Sequence, residues 1–208
     1  VAEDWTEEEV RKYVGDGDFT WVIPVDIVAE AGQKVLNFWH VEETLKRVDR
    51  IAVGECRCRK RMQRCDHTLE CCLFVGPWYD DAVKGGYARP ATREEALAIL
   101  KKTYDEGLVL TVAEADEGPF LVCSCCPCCC FQFAGLRKFG MENVLISSDY
   151  VAAHDGDLCT ACGACLERCY FGATTRGGDG IRFDPEKCLG CGLCVGTCPS
   201  GARLLIEK

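Results

Sequence analysis

The sequence predicts an α+β protein in two parts, a cysteine-rich α+β domain over residues 1–148 and a repeated unit over residues 149–208. Three observations predict it. In the front part, short apolar runs that end at turn residues alternate with capped helical periods. In the tail, a cysteine pattern that begins at Cys159 begins again at Cys188, 29 positions on. Across the chain, 19 of 208 residues are cysteine, and they come in packets.

The packets point to metal rather than to disulfides. Residues 1–55, 73–122 and 131–158 contain no cysteine, whereas a disulfide framework would spread its bridges. A chain of 22.9 kDa also buries a core without needing staples. With 48% hydrophobic and 27% charged residues the composition is globular. No run of eighteen apolar residues exists, so no membrane insertion is expected. The start, Val1-Ala2-Glu3-Asp4-Trp5, is acidic and polar, unlike a signal peptide. A net charge of −9 and a pI near 4.9 argue against nucleic acid or anionic lipid as partner. Many surviving thiols imply a reducing, anaerobic cytoplasm.

Individual elements follow from local pattern. Thr20-Trp21-Val22-Ile23 before Pro24 reads as a strand. Val41, Leu45 and Val48 share one helical face. Ile51-Ala52-Val53 is a strand ended by Gly54, and Phe120-Leu121-Val122 is another. Thr92-Arg93-Glu94-Glu95 is a capping box opening a helix with Ala96, Leu97, Leu100 and Tyr104 inward, stopped at Gly107. Phe131, Ala134 and Phe139 mark a further helix with Gly140 as its stop.

The tail carries the most specific signal. Cys159-x2-Cys162-x2-Cys165-x3-Cys169 recurs as Cys188-x2-Cys191-x2-Cys194-x3-Cys198. Gly163 matches Gly192, Gly172-Ala173 matches Gly201-Ala202, and an acid, Asp157 or Glu186, stands two residues before each first cysteine. A loop with cysteine at every third position wraps three corners of a cubane [4Fe-4S] cluster. The glycine lets backbone approach the inorganic sulfur. The fourth cysteine is expected at the start of a helical turn, pointing to the cluster of the other copy. One cluster then takes Cys159, Cys162, Cys165 and Cys198, and the second Cys188, Cys191, Cys194 and Cys169. Zinc is the competing reading, but zinc motifs place a longer gap after each pair.

On these eight cysteines, residues 149–208 resemble the bacterial two-cluster ferredoxin family. The resemblance implies a pseudo-symmetric β-α-β repeat, with Val151-Ala152-Ala153 and Arg203-Leu204-Leu205-Ile206 as outer strands. It also implies a hairpin joining Thr174-Thr175 to Ile181-Arg182-Phe183, and low potentials. One departure is that Cys198 is followed by Pro199 but Cys169 by Tyr170.

The front holds the remaining eleven cysteines in two packets, each at a strand end. The first is Cys56, Cys58, Cys65, Cys71 and Cys72. The second is Cys123, Cys125, Cys126, Cys128, Cys129 and Cys130. In extended chain Cys123 and Cys125 share a face, and Cys126, Cys128 and Cys130 the other. In a helix Cys126, Cys129 and Cys130 fall together. Either way the second packet can feed two sites. One or two additional iron–sulfur clusters is the favoured reading, drawing on Cys56, Cys58, Cys65, Cys72 and the second packet. A zinc site in the first packet, with His67 as a ligand, is the runner-up. Inert core thiols account for one or two positions such as Cys71. Arg57, Arg59, Lys60, Arg61 and Arg64 form a basic run in an acidic chain. Arg57 and Arg59 are expected to offset cluster charge. Residues 20–148 also resemble, more loosely, ferredoxin-like proteins of strict anaerobes with C-x-C-R and C-x-C-C-x-C-C-C segments, which implies extra clusters.

These readings predict a one-electron carrier, a partner or subunit of a larger redox complex. One alternative is an oxidoreductase whose incompletely ligated front cluster reduces a small molecule, a disulfide or a corrinoid. Another is a zinc-stabilised interaction module fused to a ferredoxin. No G-x-G-x-x-G follows a strand, so there is no Rossmann signal, and a flavin would have to bind without that motif.

Overall fold

The computed structural model describes residues 3–14, 19–22, 26–30, 33–37, 39–116, 118–141, 144–178 and 180–208. Ile23 of the expected first strand, Pro24 after it, and Asp179 of the expected tail turn lie outside them. The protein is mixed α/β with antiparallel sheets. It divides into two compact units, residues 1–21 with 43–146, and residues 22–42 with 147–208.

The first unit is built on a six-stranded sheet. Its strands are β1 (Phe19–Val22), β4 (Ile51–Glu55), β5 (Glu70–Val75), β6 (Ala88–Ala91), β7 (Val109–Ala115) and β8 (Gly118–Cys125), in the order β1-β7-β8-β5-β4-β6. β5 is central, and every residue after Glu70 is buried, so it reads as a continuous apolar run. Antiparallel pairing of β5 with both β4 and β8 has one consequence for function. The end of β4, the start of β5 and the end of β8 meet at one edge of the sheet. Those are the places where the front cysteines lie.

Helices cover this sheet, among them α4 (Tyr79–Lys84), whose Ala82 is buried. In α5 (Arg93–Asp105) Ala96, Leu100, Thr103 and Tyr104 are buried. Its first turn is closed by the Thr92 hydroxyl, which accepts from the Glu95 N–H at 3.1 Å. Gly107 then adopts φ 87°, the left-handed backbone that ends the helix. A buried 2.7 Å hydrogen bond between the Thr103 and Ser124 hydroxyls ties α5 to β8. Side chains alternate along strands, so Leu121, Cys123 and Cys125 face away from Ser124. Thr111 and Ala113 pair with Cys123 and Leu121 in register.

Two more helices in this unit shape the cysteine region. Helix α1 (Glu7–Val14) opens with a reciprocal cap: Glu9 N–H donates to Thr6 Oγ1 at 3.2 Å and Thr6 N–H to Glu9 Oε2 at 3.0 Å. It packs on α6 (Phe131–Lys138), where a Cβ on Gly135 would come within 3.0 Å of Val10. Short helix α3 (Arg57–Met62) follows β4 directly, carries Cys58, and ends at Gln63 with φ 49°.

In the second unit β2 (Asp26–Glu30) pairs with β3 (Gln33–Asn37). Helix α2 (Trp39–Lys46) follows, its residues to Glu42 counted in this unit and the rest in the first, with the expected inner residues Val41 and Leu45 fully buried. β9 (Tyr150–His154) pairs with β12 (Arg203–Glu207), and β10 (Thr174–Gly177) with β11 (Gly180–Phe183). These are the outer strands and the hairpin expected from sequence. Helices α7 (Ala164–Arg168) and α8 (Leu193–Gly196) are single turns. Each begins at the glycine after a second cysteine, Gly163 with φ 84° and Gly192 with φ 77°. Cys169 and Cys198 lie just after these helices, and Cys198 O accepts from Gly201 N–H at 3.4 Å, opening the turn that follows.

Among the described residues no helix is long and apolar enough to cross a membrane.

Candidate metal centres

The tail cysteines gather around two small cavities. One is lined by Cys159, Cys162, Cys165 and Cys198. The other is lined by Cys169, Cys188, Cys191 and Cys194. Main-chain N–H groups donate to several of the sulfurs: Ala161 to Cys159 at 3.4 Å, Thr174 to Cys169 at 3.3 Å, and Ala152 to Cys188 at 3.5 Å. Such donors favour sulfur as an anionic acceptor. Cys194 is pushed up to about 12 by burial, against the pull of the Arg203 guanidinium. Cys198 is also raised by burial, yet lies below the usual thiol value because Ser200 and nearby N–H groups donate to it.

Arg203 is a residue the sequence reading missed. It sits on β12, is 2% exposed, and places Nη2 at 3.9 Å from Cys165 Sγ and 3.5 Å from Thr174 Oγ1. Its guanidinium lies 4.8 Å from the Phe183 ring centre, and Nη1 has no hydrogen-bond partner. The only signal in sequence is a cation opening the apolar run Leu204-Leu205-Ile206.

The eleven front cysteines fall into a group of four and a group of seven. Cys65, Cys126, Cys128 and Cys129 have all their sulfurs within 4.8 Å of one another. The other seven form a chain of sulfur contacts. Cys56 meets Cys58, Cys71 and Cys72; Cys58 meets Cys130; Cys130 meets Cys125; Cys125 meets Cys123; Cys123 meets Cys72. Hydrogen bonds from Cys58, Cys71 and Cys72 hold Cys56 low, and those from Cys123 and Cys130 hold Cys125 low. Cys71 is pushed up by giving its hydrogen bond to Cys56, as Cys123 and Cys130 are by giving theirs to Cys125. Gln132 Oε1 accepts from Cys125 at 3.5 Å and from Cys130 at 3.8 Å.

Neither sequence grouping of the second packet survives intact. Cys123 and Cys125 do stay together, but Cys130 joins them. A turn over residues 126–130, closed by Cys130 N–H to Cys126 O at 3.1 Å, brings the chain back. Cys71 is fully buried, as expected of a core thiol, and its sulfur lies within 4.8 Å of those of Cys56 and Cys72. His67 is paired with Glu106, 3.7 Å away, and is not among the clustered ligands.

Arg59 lies between the two front groups. It is 3% exposed and donates through Nη1 to Ser124 O at 2.8 Å and to Cys126 Sγ at 3.7 Å. Through Nη2 it donates to Cys71 Sγ. Burial works against its charge, but the sulfurs of Cys71, Cys56 and Cys126 outweigh that and raise its pKa. Exposed Arg57 lines the cavity described next.

A cavity of about 350 Å³ opens beside the seven-thiol group. Cys56, Cys58, Cys72, Cys123, Cys125 and Cys130 reach it, and Phe74, Trp78 and Phe120 supply aromatic wall.

Residues 158–202 match the family model of the 4Fe-4S dicluster domain. The match spans all eight tail cysteines and supports an iron–sulfur domain of ferredoxin type at this end of the chain. No curated protein matches the chain.

Proposed function

We propose that the chain is an electron-transfer protein that passes single electrons through two [4Fe-4S] clusters in its C-terminal part, and through one or two further iron–sulfur clusters in front. The supporting observation is the sorting of eight tail sulfurs into two sets of four, each taking three cysteines from one copy and the fourth from the other. That is the crossed ligation of a two-cluster ferredoxin. Positions 29 apart also share left-handed backbone, Ala161 with Gly190, Gly163 with Gly192 and Gly172 with Gly201, as a repeat requires. The clusters supply the redox chemistry. The chain's own part is to hold them, bury them and tune them through N–H donors and Arg203.

The reading extends to a reducing cytoplasm and to a redox protein or larger oxidoreductase complex as partner. Its test is iron and sulfide analysis with electron paramagnetic resonance on anaerobically purified, dithionite-reduced protein. Signals of reduced cubanes support it; protein without iron overturns it.

A second reading, an enzyme, is favoured by the cavity. A cluster held by some of the seven thiols would face a space able to admit a small molecule. Added cyanide or carbon monoxide shifts the spectrum of an open iron. Unchanged spectra favour the carrier.

A further inference from the structure

The four-sulfur group at Cys65, Cys126, Cys128 and Cys129 differs in geometry from what a cubane needs. Cys65 Sγ lies 3.9 Å from Cys126 Sγ and 3.7 Å from Cys129 Sγ, and Cys129 Sγ lies 3.8 Å from Cys128 Sγ. Four thiolates around one zinc at about 2.3 Å stand about 3.8 Å apart along each tetrahedral edge. In a cubane each thiolate binds a different iron, so the sulfurs stand wider apart. The observed contacts fit a single ion.

The surroundings supply a second, independent indication. Arg59 is buried between Cys126 of this group and Cys71 of the other, and among the described residues its Nε has no hydrogen-bond partner. Neutral thiols do not balance a buried guanidinium. A tetrathiolate around a divalent ion carries a net charge of about −2 and does. Cys126 and Cys129, the inner half of the group, are buried, while Cys65 and Cys128 are part-exposed. Trp5 Nε1–H donates to Cys129 O at 2.8 Å, and Trp5, Met62 and Leu108 pack around Cys126 and Cys129. Full ligation with no open position is the mark of a structural site.

We propose that Cys65, Cys126, Cys128 and Cys129 hold one four-coordinate metal ion, zinc or a lone iron, which staples the loop after α3 to the turn before α6. This site unites one cysteine of the first packet with three of the second. The seven remaining front thiols then serve one cluster at most in addition, with three to spare. The proposal deepens the front part of the electron-transfer reading but does not depend on the tail clusters.

The experiment is metal analysis of the full-length chain purified without oxygen, as wild type and as Cys65→Ser and Cys128→Ser. Each variant is expected to lose one metal ion per chain, with inorganic sulfide and the remaining iron unchanged; the identity of that ion tells zinc from iron. Loss of about four irons together with sulfide would mean a cubane and would overturn the proposal, as would no loss at all. Two measurements hold if these variants fail to fold. Cys128→His, which keeps four ligands, is expected to retain the ion. Wild-type chain reconstituted with cobalt(II) is expected to show tetrahedral d–d bands and sulfur-to-cobalt charge transfer from this site; their absence overturns the assignment. Tail iron is counted in the same samples, so failure of the electron-transfer reading shows separately.

Discussion

Arg59 Nη1 lies 3.7 Å from Cys126 Sγ while its Nη2 donates to Cys71, so one buried cation touches both front groups of sulfur. It arrives there because α3 starts immediately after β4, which turns the fourth residue of the C-x-C-R segment under the sheet edge. A cation in that place is costly without anions beside it.

Arg59→Leu therefore tests whether those sulfurs are anionic. With metal bound, removing the cation leaves buried negative charge unpaired and is expected to cost about 3–5 kcal/mol of stability. In metal-free, reduced protein the thiols take up protons, and the cost is expected to shrink or reverse. Thermal denaturation with and without metal measures both. An equal loss in the two states would show that Arg59 acts only by packing.

Arg203→Met probes the tail in the same way. Arg203 stands 3.9 Å from Cys165 Sγ, and a positive charge there favours the more negative, reduced cluster. The variant is expected to shift one tail potential downward, leaving iron content unchanged. Redox titration followed by electron paramagnetic resonance reads the shift, and an unmoved potential would remove Arg203 from the account.

The loop bearing Cys65 is latched by a carboxylate. Glu106 accepts from Thr68 N–H at 2.8 Å and Thr68 Oγ1–H at 2.5 Å. Burial raises its pKa, but these bonds prevail and hold it below the ordinary 4.5. A depressed folded pKa adds stability that is present above pH 4.5 and lost as pH falls through the folded value. Glu106→Gln is expected to destabilise by about 1–3 kcal/mol near neutral pH. The gap from wild type is expected to close on acidification below the folded pKa, as read from denaturant midpoints across pH. A gap independent of pH would contradict the latch.

How far the sequence reaches depends on how local the information is. The grouping of the tail sulfurs around two cavities is legible because spacing within one short repeat fixes which sulfur points where. The capping box at Thr92 and the inner face of α2 are legible for the same reason. In the front, packet position predicts that two sites form but not their members. Cys65 finds Cys126, Cys128 and Cys129 only because antiparallel β4, β5 and β8 bring distant strand ends to one edge. Cys130 changes partners because of one turn, which face alternation does not foresee. Cys71 reads as a spare thiol until Arg59 is placed beside it. Arg203 reads as an ordinary strand residue because its partner, Cys165, lies 38 residues away.

Crossed ligation in the tail is tested most directly by counting iron in Cys159→Ala, Cys198→Ala and the double variant. The account predicts that each single variant loses one cluster of about four irons and that the double loses no more, because both cysteines serve the same cubane. If each copy instead ligates its own cluster, the double variant loses about eight irons, and the account is contradicted.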